Sequence, residues 1–318
     1  MKDKNVIFMG TPDFSVKVLE ALISHTNVSL VVTQPDKEVG RKHEIKYSSI
    51  KEVALKNNIK IFQPTKIRKD FDIIKELNPD LIVTCAYGQI LPKELLDIPK
   101  YGSINVHASI LPKYRGGAPI HRAIMNGEDK TGITIMYMDE GMDTGDIISI
   151  KECKIDKTDN AGTLHDKLST IGAELLIKTL PDIFCGKAKR IKQDNSLATF
   201  APVIKREDEL LDFNKSVDEV LNKVRGLNPW PLSYFYLNDT EIKVLEAEGK
   251  KMNVLSPGKI DNVTKNEFSI TANDGLIFLK TIKPMGKKTM HIIDYLNGID
   301  KEKIKKEGKI NCYEESRN

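Results

Sequence analysis

Residues 5–33 read NVIFMGTPDFSVKVLEALISHTNVSLVVT. The apolar run 5–9 has the length of a buried strand, and Gly10-Thr11-Pro12-Asp13 then turns the chain. Val18, Leu19, Leu22 and Ile23 recur at helical spacing, and residues 28–33 return to an apolar, β-branched run. Strand, turn, amphipathic helix and second strand make one βαβ unit, which calls for parallel pairing. The same alternation continues through a helix at 48–57, a short strand at 60–62 and a helix at 71–77 that stops at Asn78-Pro79. A strand LIVTC follows at 81–85, and the sheet is expected to continue through 103–106. Residues 131–138 and 146–152 read as two more strands joined by an acidic loop. Residues 162–184 carry Leu164, Leu168, Ile171, Leu175, Leu176 and Leu180 along one face of a long helix.

Beyond that helix the character changes. The polar stretch 186–196, with Lys187, Lys189, Arg190 and Lys192, reads as a linker. After a helix near 217–224 come short strand-like runs at 233–237, 242–246, 259–260, 268–271 and 276–282, separated by Gly, Asn and Asp. Such runs suggest a small β-barrel. The expected organisation is a catalytic domain at 1–186, a linker at 187–205 and a second domain at 206–318, within a chain of 318 residues.

Composition narrows the function classes. Hydrophobic residues make up 40% and charged residues 30%, with a mean hydropathy of −0.33, as in a soluble folded protein. No run approaches the ~18 apolar residues of a membrane span, and the four-residue run Val6 to Met9 is too short for a signal-peptide core. A cytoplasmic protein without a membrane partner is expected. The 4 cysteines are scattered without a C-x-x-C pair and the 6 histidines without H-E-x-x-H, so neither a structural metal nor a disulfide framework is expected. The net charge is only +4, and residues after 205 balance their signs, so contact with nucleic acid has to come from local patches.

The turn at 10–14 lacks G-x-G-x-x-G spacing, which disfavours NAD or FAD. Chemistry-bearing residues concentrate in 105–146: NVHASILPKYRGGAPIHRAIMNGEDKTGITIMYMDEGMDTGD. Asn105 and His107 alternate along a strand and so point to one side. An imidazole handles protons near neutral pH, and an amide N–H suits a developing oxyanion. The acidic loop with Asp139, Glu140, Asp143 and Asp146 offers a carboxylate to orient or charge the imidazole. Each feature also has a plainer explanation, a structural histidine at a strand end and a solvated hairpin loop. No nucleophile elbow surrounds Ser109, so general acid/base chemistry with charge stabilisation is favoured over a covalent intermediate.

Taken together, Asn105-x-His107-x-Ser109-x-Leu111-Pro112, Arg115-Gly116-x-Ala118-Pro119-Ile120 and Asp143-Thr144-Gly145-Asp146 resemble the folate-dependent formyltransferases. Within that family the resemblance is nearest to members that act on initiator methionyl-tRNA. It extends to Phe8-Met9-Gly10-Thr11-Pro12-Asp13-Phe14, Gln34-Pro35-Asp36, Ala198-Thr199-Phe200-Ala201-Pro202 and Arg225-Gly226-Leu227-Asn228-Pro229-Trp230-Pro231. The resemblance implies an α/β fold, a Rossmann-like, mostly parallel formyltransferase domain followed by an OB-like C-terminal barrel that binds tRNA. It implies 10-formyltetrahydrofolate as formyl donor and co-substrate, no metal, and initiator methionyl-tRNA as acceptor, with no obligate protein partner. Asn105, His107 and Asp143 match the catalytic trio, with Asp143 either orienting His107 or placing a proton-relaying water. Ser109, Ile110, Leu111 and Pro112 match the folate-contacting segment. Arg41 and Lys42, in the basic loop at 36–46, match the tRNA-reaching insertion, while His43-Glu44-Ile45 departs from its pattern. A sugar-nucleotide N-formyltransferase shares the trio and is the alternative; a folate hydrolase or a silent RNA-binding relative stands further off.

Overall fold

The computed structural model describes residues 1–39 and 44–311. Contacts gather the chain into two compact units. One comprises Met1–Pro119, Lys130–Lys154 and His165–Val203; the other comprises Ile120–Asp129, Ile155–Leu164 and the chain from Ile204 onward.

In chain order the elements up to residue 184 are β1 (Asn5–Gly10), α1 (Val16–His25), β2 (Asn27–Val32), β3 (Lys37–Val39), β4 (Glu44–Lys46) and α2 (Ser49–Lys56). There follow β5 (Lys60–Phe62), α3 (Asp72–Leu77), β6 (Leu81–Cys85), α4 (Lys93–Leu96), β7 (Ser103–His107), α5 (Pro119–Met125), β8 (Lys130–Tyr137), β9 (Ile147–Lys154) and α6 (Ala161–Phe184). A seven-stranded sheet runs β5-β2-β1-β6-β7-β8-β9. Pairing is parallel from β5 to β7 and antiparallel at β7–β8 and β8–β9. The mostly parallel sheet expected from the sequence is therefore present, finished by an antiparallel hairpin. Val6, Ile7, Phe8 and Met9 are all 0% exposed, because β1 is central and covered on both faces, which is why it reads as an unbroken apolar run. α1 buries Val18, Leu19 and Leu22. α2 starts where the Ser48 hydroxyl accepts the Lys51 N–H at 3.1 Å. The strand order reverses beside β1, and in open α/β sheets ligands bind beyond the carboxyl ends at such a point.

The other unit adds α7 (Arg206–Glu209), α8 (Val217–Gly226), β10 (Ser233–Leu237), β11 (Thr240–Lys251), β12 (Ile260–Val263), β13 (Phe268–Ala272), β14 (Gly275–Pro284), β15 (Met290–His291), α9 (Ile292–Asn297) and α10 (Lys301–Glu307). Its six strands are antiparallel, ordered β10-β11-β14-β13-β12 with β15 against β14. Register shifts at Val244/Glu246 and Glu246/Ala247 bend the long β11, the device by which a small sheet coils over its own core. Phe213 and Phe235 meet edge to face at 5.8 Å inside it. Ser216 and Glu219 form a capping box that starts α8.

Three stretches carry more local structure than the sequence reading gave them. Residues 36–46 were expected as a loop, but their flanks pair as a ribbon, Lys37 with Lys46 and Glu38 with Ile45. Three-residue strands are too short to show an alternation. Arg41 and Lys42 lie outside the described residues. Residues 119–125, to which the sequence reading assigned no element, form α5, whose Pro119 occupies a first-turn position that suits its fixed φ. The segment read as a linker is bonded along its length within the first unit. Ile191 and Ile147 exchange backbone hydrogen bonds of 2.8 and 2.9 Å, Arg115 N donates to Thr199 O at 2.9 Å, and Ala201 N donates to Arg115 O at 2.7 Å.

Candidate active site

The alternation of β7 places Asn105 and His107 on one side and buries Ile104 and Val106 on the other. The β6–β7 register sets Thr84 beside Asn105. The Thr84 hydroxyl donates to Asn105 Oδ1 at 2.8 Å, the shortest of its contacts. With its oxygen so engaged, the amide presents its NH₂ to Asp143, and Nδ2 lies 3.4 Å from Asp143 Oδ1. An amide nitrogen carries two hydrogens. The second has no acceptor among the described residues and is free to meet a substrate oxygen.

His107 is 6% exposed. Its Nε2 lies 3.0 Å from the Tyr114 carbonyl oxygen. A carbonyl only accepts, so Nε2 carries the hydrogen, and the nitrogen left for proton transfer is Nδ1. Nδ1 faces Asp143 Oδ1 at 3.6 Å, with the Asp143 side chain 15% exposed. The other carboxylate oxygen, Oδ2, accepts the Gly116 N–H at 2.8 Å. Oδ1 is thus shared between an amide donor and an imidazole, while Oδ2 is fixed by backbone.

Local backbone geometry makes this convergence possible. Asp143 adopts φ +54° and Gly116 φ +118°. A Cβ at Gly116 would lie 2.8 Å from the Ala201 carbonyl oxygen, so only glycine lets the loop approach closely enough for its N–H to reach the carboxylate. A Cβ at Gly145 would collide with the Tyr137 carbonyl oxygen.

The segment after His107 divides by direction. Ser109 is 0% exposed, and its hydroxyl donates to Lys113 O at 2.6 Å. Thr134 Oγ1 donates to Ser109 O at 2.7 Å and accepts from Leu111 N at 3.2 Å. Leu111 packs with Met136 and Ile147. Ser109 and Leu111 therefore shape the loop from inside, while Ile110 and Pro112 keep accessible surface. Thr84, Tyr114 and Gly116 complete the constellation; Gly116 stood in a quoted motif without a role, and Thr84 was not picked out from the sequence. Thr84 belongs to an apolar run and is distinguished only by the strand register.

A surface depression of about 420 Å³ is lined by Lys100, Tyr101, Tyr137 and Arg190, and by none of Asn105, His107 or Asp143. Among the described residues no three His, Cys, Asp or Glu side chains are grouped to hold a metal ion, and no helix is long and apolar enough to cross a membrane.

Comparison with known proteins covers most of the chain. The family described as formyl transferase matches residues 4–180, and the formyl transferase C-terminal domain matches 203–300. A methionyl-tRNA formyltransferase of Staphylococcus epidermidis is 52% identical over 307 residues, covering 95% of this chain and 98% of that protein. One from Staphylococcus aureus (strain MW2) is 49% identical over 297 residues, covering 92% and 96%. Among solved structures, the sugar 3N-formyl transferase WlaRD, crystallised with dTDP and 5-N-formyl-THF, superimposes with a TM-score of 0.65 at 23% identity, covering 91% of this chain and 100% of that one. At that identity the likeness speaks for the fold.

Proposed function

The chain belongs to the formyl transferase family, and we propose that it transfers the formyl group of 10-formyltetrahydrofolate to the α-amino group of initiator methionyl-tRNA. The observation that carries this reading is identity of about half over nearly the full length of methionyl-tRNA formyltransferases. The grouping of Asn105, His107 and Asp143 supplies chemistry to match.

The attacking amine has to be neutral, and its ordinary pKa of about 8 makes that accessible. As the new C–N bond forms, the formyl oxygen becomes a tetrahedral oxyanion. Asn105 donates its uncommitted N–H to that oxygen. His107 receives the amine's proton at Nδ1, since Nε2–H is tied to the Tyr114 carbonyl. Asp143 then sits against the imidazolium and balances its charge. Collapse of the intermediate breaks the bond from the formyl carbon to N10, and the proton passes to N10. The products are tetrahydrofolate and N-formylmethionyl-tRNA.

Ile110 and Pro112, with the backbone of Ser109 and Leu111, offer the folate contact. The catalytic work falls to residues 1–186, with 187–205 as the connecting segment and an OB-like tRNA-binding domain at 206–318. Arg41 and Lys42 neutralise acceptor-end phosphates. The reaction serves translation initiation in the cytoplasm.

Formyl transfer from 10-formyltetrahydrofolate to methionyl initiator tRNA tests the proposal, with uncharged tRNA and an amino-deoxy sugar nucleotide as parallel acceptors. Product on methionyl-tRNA alone is expected. Product on the sugar nucleotide instead would move the assignment to that branch of the family, and donor loss without any acceptor would mark a hydrolase.

A further inference from the structure

We propose that Gln193 is a positioning residue for formyl transfer that acts through Asp143; the inference rests on the reading above. Gln193 lies in the polar segment after α6 and touches none of the reacting groups. Its Nε2 donates to two backbone carbonyls, Asp143 O and Gly145 O, each at 2.8 Å. Both hydrogens of the amide are thereby engaged by the turn that presents the carboxylate. That turn includes Asp143 at φ +54°, a conformation that a non-glycine residue keeps only where its surroundings hold it.

The amide is itself anchored. Gln193 Oε1 accepts from Arg115 Nε at 3.1 Å and from Nη2 at 2.7 Å. Arg115 is 4% exposed, and Nη2 also donates to Asn195 Oδ1 at 2.8 Å. The Arg115 backbone is tied to Thr199 and Ala201. Turning the amide over would set NH₂ against guanidinium donors and oxygen against two carbonyls, so its orientation is determined by its partners. Gly116, the residue after Arg115, holds Asp143 Oδ2. Asp143 is therefore gripped twice from one loop, at its carboxylate by Gly116 and at its backbone by Arg115 through Gln193. The side chain's place between Asn105 and His107 depends on both grips.

Gln193→Glu separates this role from a merely structural one. It keeps the side chain's size and offers Arg115 an ionic partner, but it removes both donors and sets oxygen against the Asp143 and Gly145 carbonyls. With the full-length enzyme, kcat for formylation is expected to fall about 10- to 100-fold, the loss that a small misplacement produces. KM for the folate donor and for methionyl-tRNA is expected to stay within about threefold, and Tm is not lowered. Gln193→Met, apolar and of similar length, gives the same kcat loss whatever it does to Tm. In an Asp143→Asn background followed by single turnover, Gln193→Glu costs no more than about twofold further. Wild-type kcat in Gln193→Glu, or losses that multiply in the double variant, overturn the inference. A wild-type enzyme that fails to formylate methionyl-tRNA overturns the functional reading and this inference with it, whereas an active wild type with an unaffected Gln193→Glu overturns this inference alone.

Discussion

His107 turns Nδ1 toward Asp143, 3.6 Å from its Oδ1, because Tyr114 O takes the hydrogen on Nε2. In the proposed mechanism the pairing sets the direction of proton movement. A proton arriving on the imidazole is held at the nitrogen that faces a carboxylate, in a place from which most water is excluded. The carboxylate in turn is not free to swing away, since Gly116 N–H holds its far oxygen.

Asp143→Asn keeps the shape of this arrangement and removes its charge. The new amide can face Gly116 N–H with its oxygen, but then its NH₂ meets the donor of Asn105. We expect kcat to fall about 100-fold or more, in the range seen for removal of an electrostatic stabiliser, with folate affinity little changed. Steady-state kinetics with saturating methionyl-tRNA would check this, and a kcat within twofold of wild type would count against the mechanism.

Asn105 and Thr84 should be graded in effect. Asn105→Ala removes the oxyanion donor and is expected to cost about 10²–10³ in kcat. Thr84→Val leaves the donor in place but frees the amide to rotate, because Oδ1 loses the 2.8 Å bond that orients it. Its expected loss is smaller, about tenfold, with Tm close to wild type. Equal losses in the two variants would mean that Thr84 does more than aim the amide.

On the proposed reading, Arg41 and Lys42 serve the tRNA and not the folate donor. Arg41→Ala and Lys42→Ala are expected to raise KM for methionyl-tRNA and leave KM for the folate donor unchanged. Each substitution should also lower the slope of log affinity against log salt by about 0.7–0.9, the amount for one phosphate contact. Identical salt slopes in wild type and variants would remove phosphate contact from this loop.

Acid stability has a local source in the unit that contains α5 and α7. Arg122 Nη1 and Nη2 donate to the two oxygens of Asp208 at 3.1 and 2.7 Å, and the Lys205 N–H donates at 3.0 Å. Partial burial alone would raise the Asp208 carboxyl, but the donors from Arg122 and Lys205 outweigh it and hold its pKa below the ordinary range. As pH falls, the unfolded chain takes up this proton first. The stabilisation is therefore complete above a pH of about 4 and is lost as pH drops through the folded value. Arg122→Ala is expected to cost about 1–2 kcal/mol at neutral pH and to flatten the fall in Tm on acidification. A mutant whose Tm tracks wild type at every pH would show that the pair contributes nothing.

The first unit was readable in its sequence wherever an element is apolar throughout and bounded by chain-turning residues. The strand at 81–85 is the clearest case, because a central strand covered on both faces has no choice of composition. Residues 233–237 in the other unit were readable too, although β10 stands at the edge of its sheet, because four of its five residues are buried. Elements stabilised by partners escaped. β11 extends to Lys251 through charged residues because β14 pairs with it, not because Glu248, Lys250 or Lys251 favour a strand. α5 was hidden behind a Gly/Pro run, although Pro119 at its start was a usable signal.

The candidate site divides in the same way. The sequence by itself determined the chemistry on offer, since side-chain types are local facts. Asn105 and His107 share a face by the two-residue period of a strand, and an acidic loop follows within reach. The resemblance pointed to Asp143 among the carboxylates of that loop, while only the tertiary structure decided how it arrives, which ring nitrogen faces it, and what holds the assembly. Asp143 is held by Gly116, and the His107 tautomer by the Tyr114 carbonyl. The Asn105 amide is aimed by Thr84 across a strand register, and the Asp143 turn is held by Gln193, 50 residues further along the chain. The physical reason is that hydrogen-bond direction depends on partners distant in sequence. Periodicity reports where a side chain points, but not what meets it there.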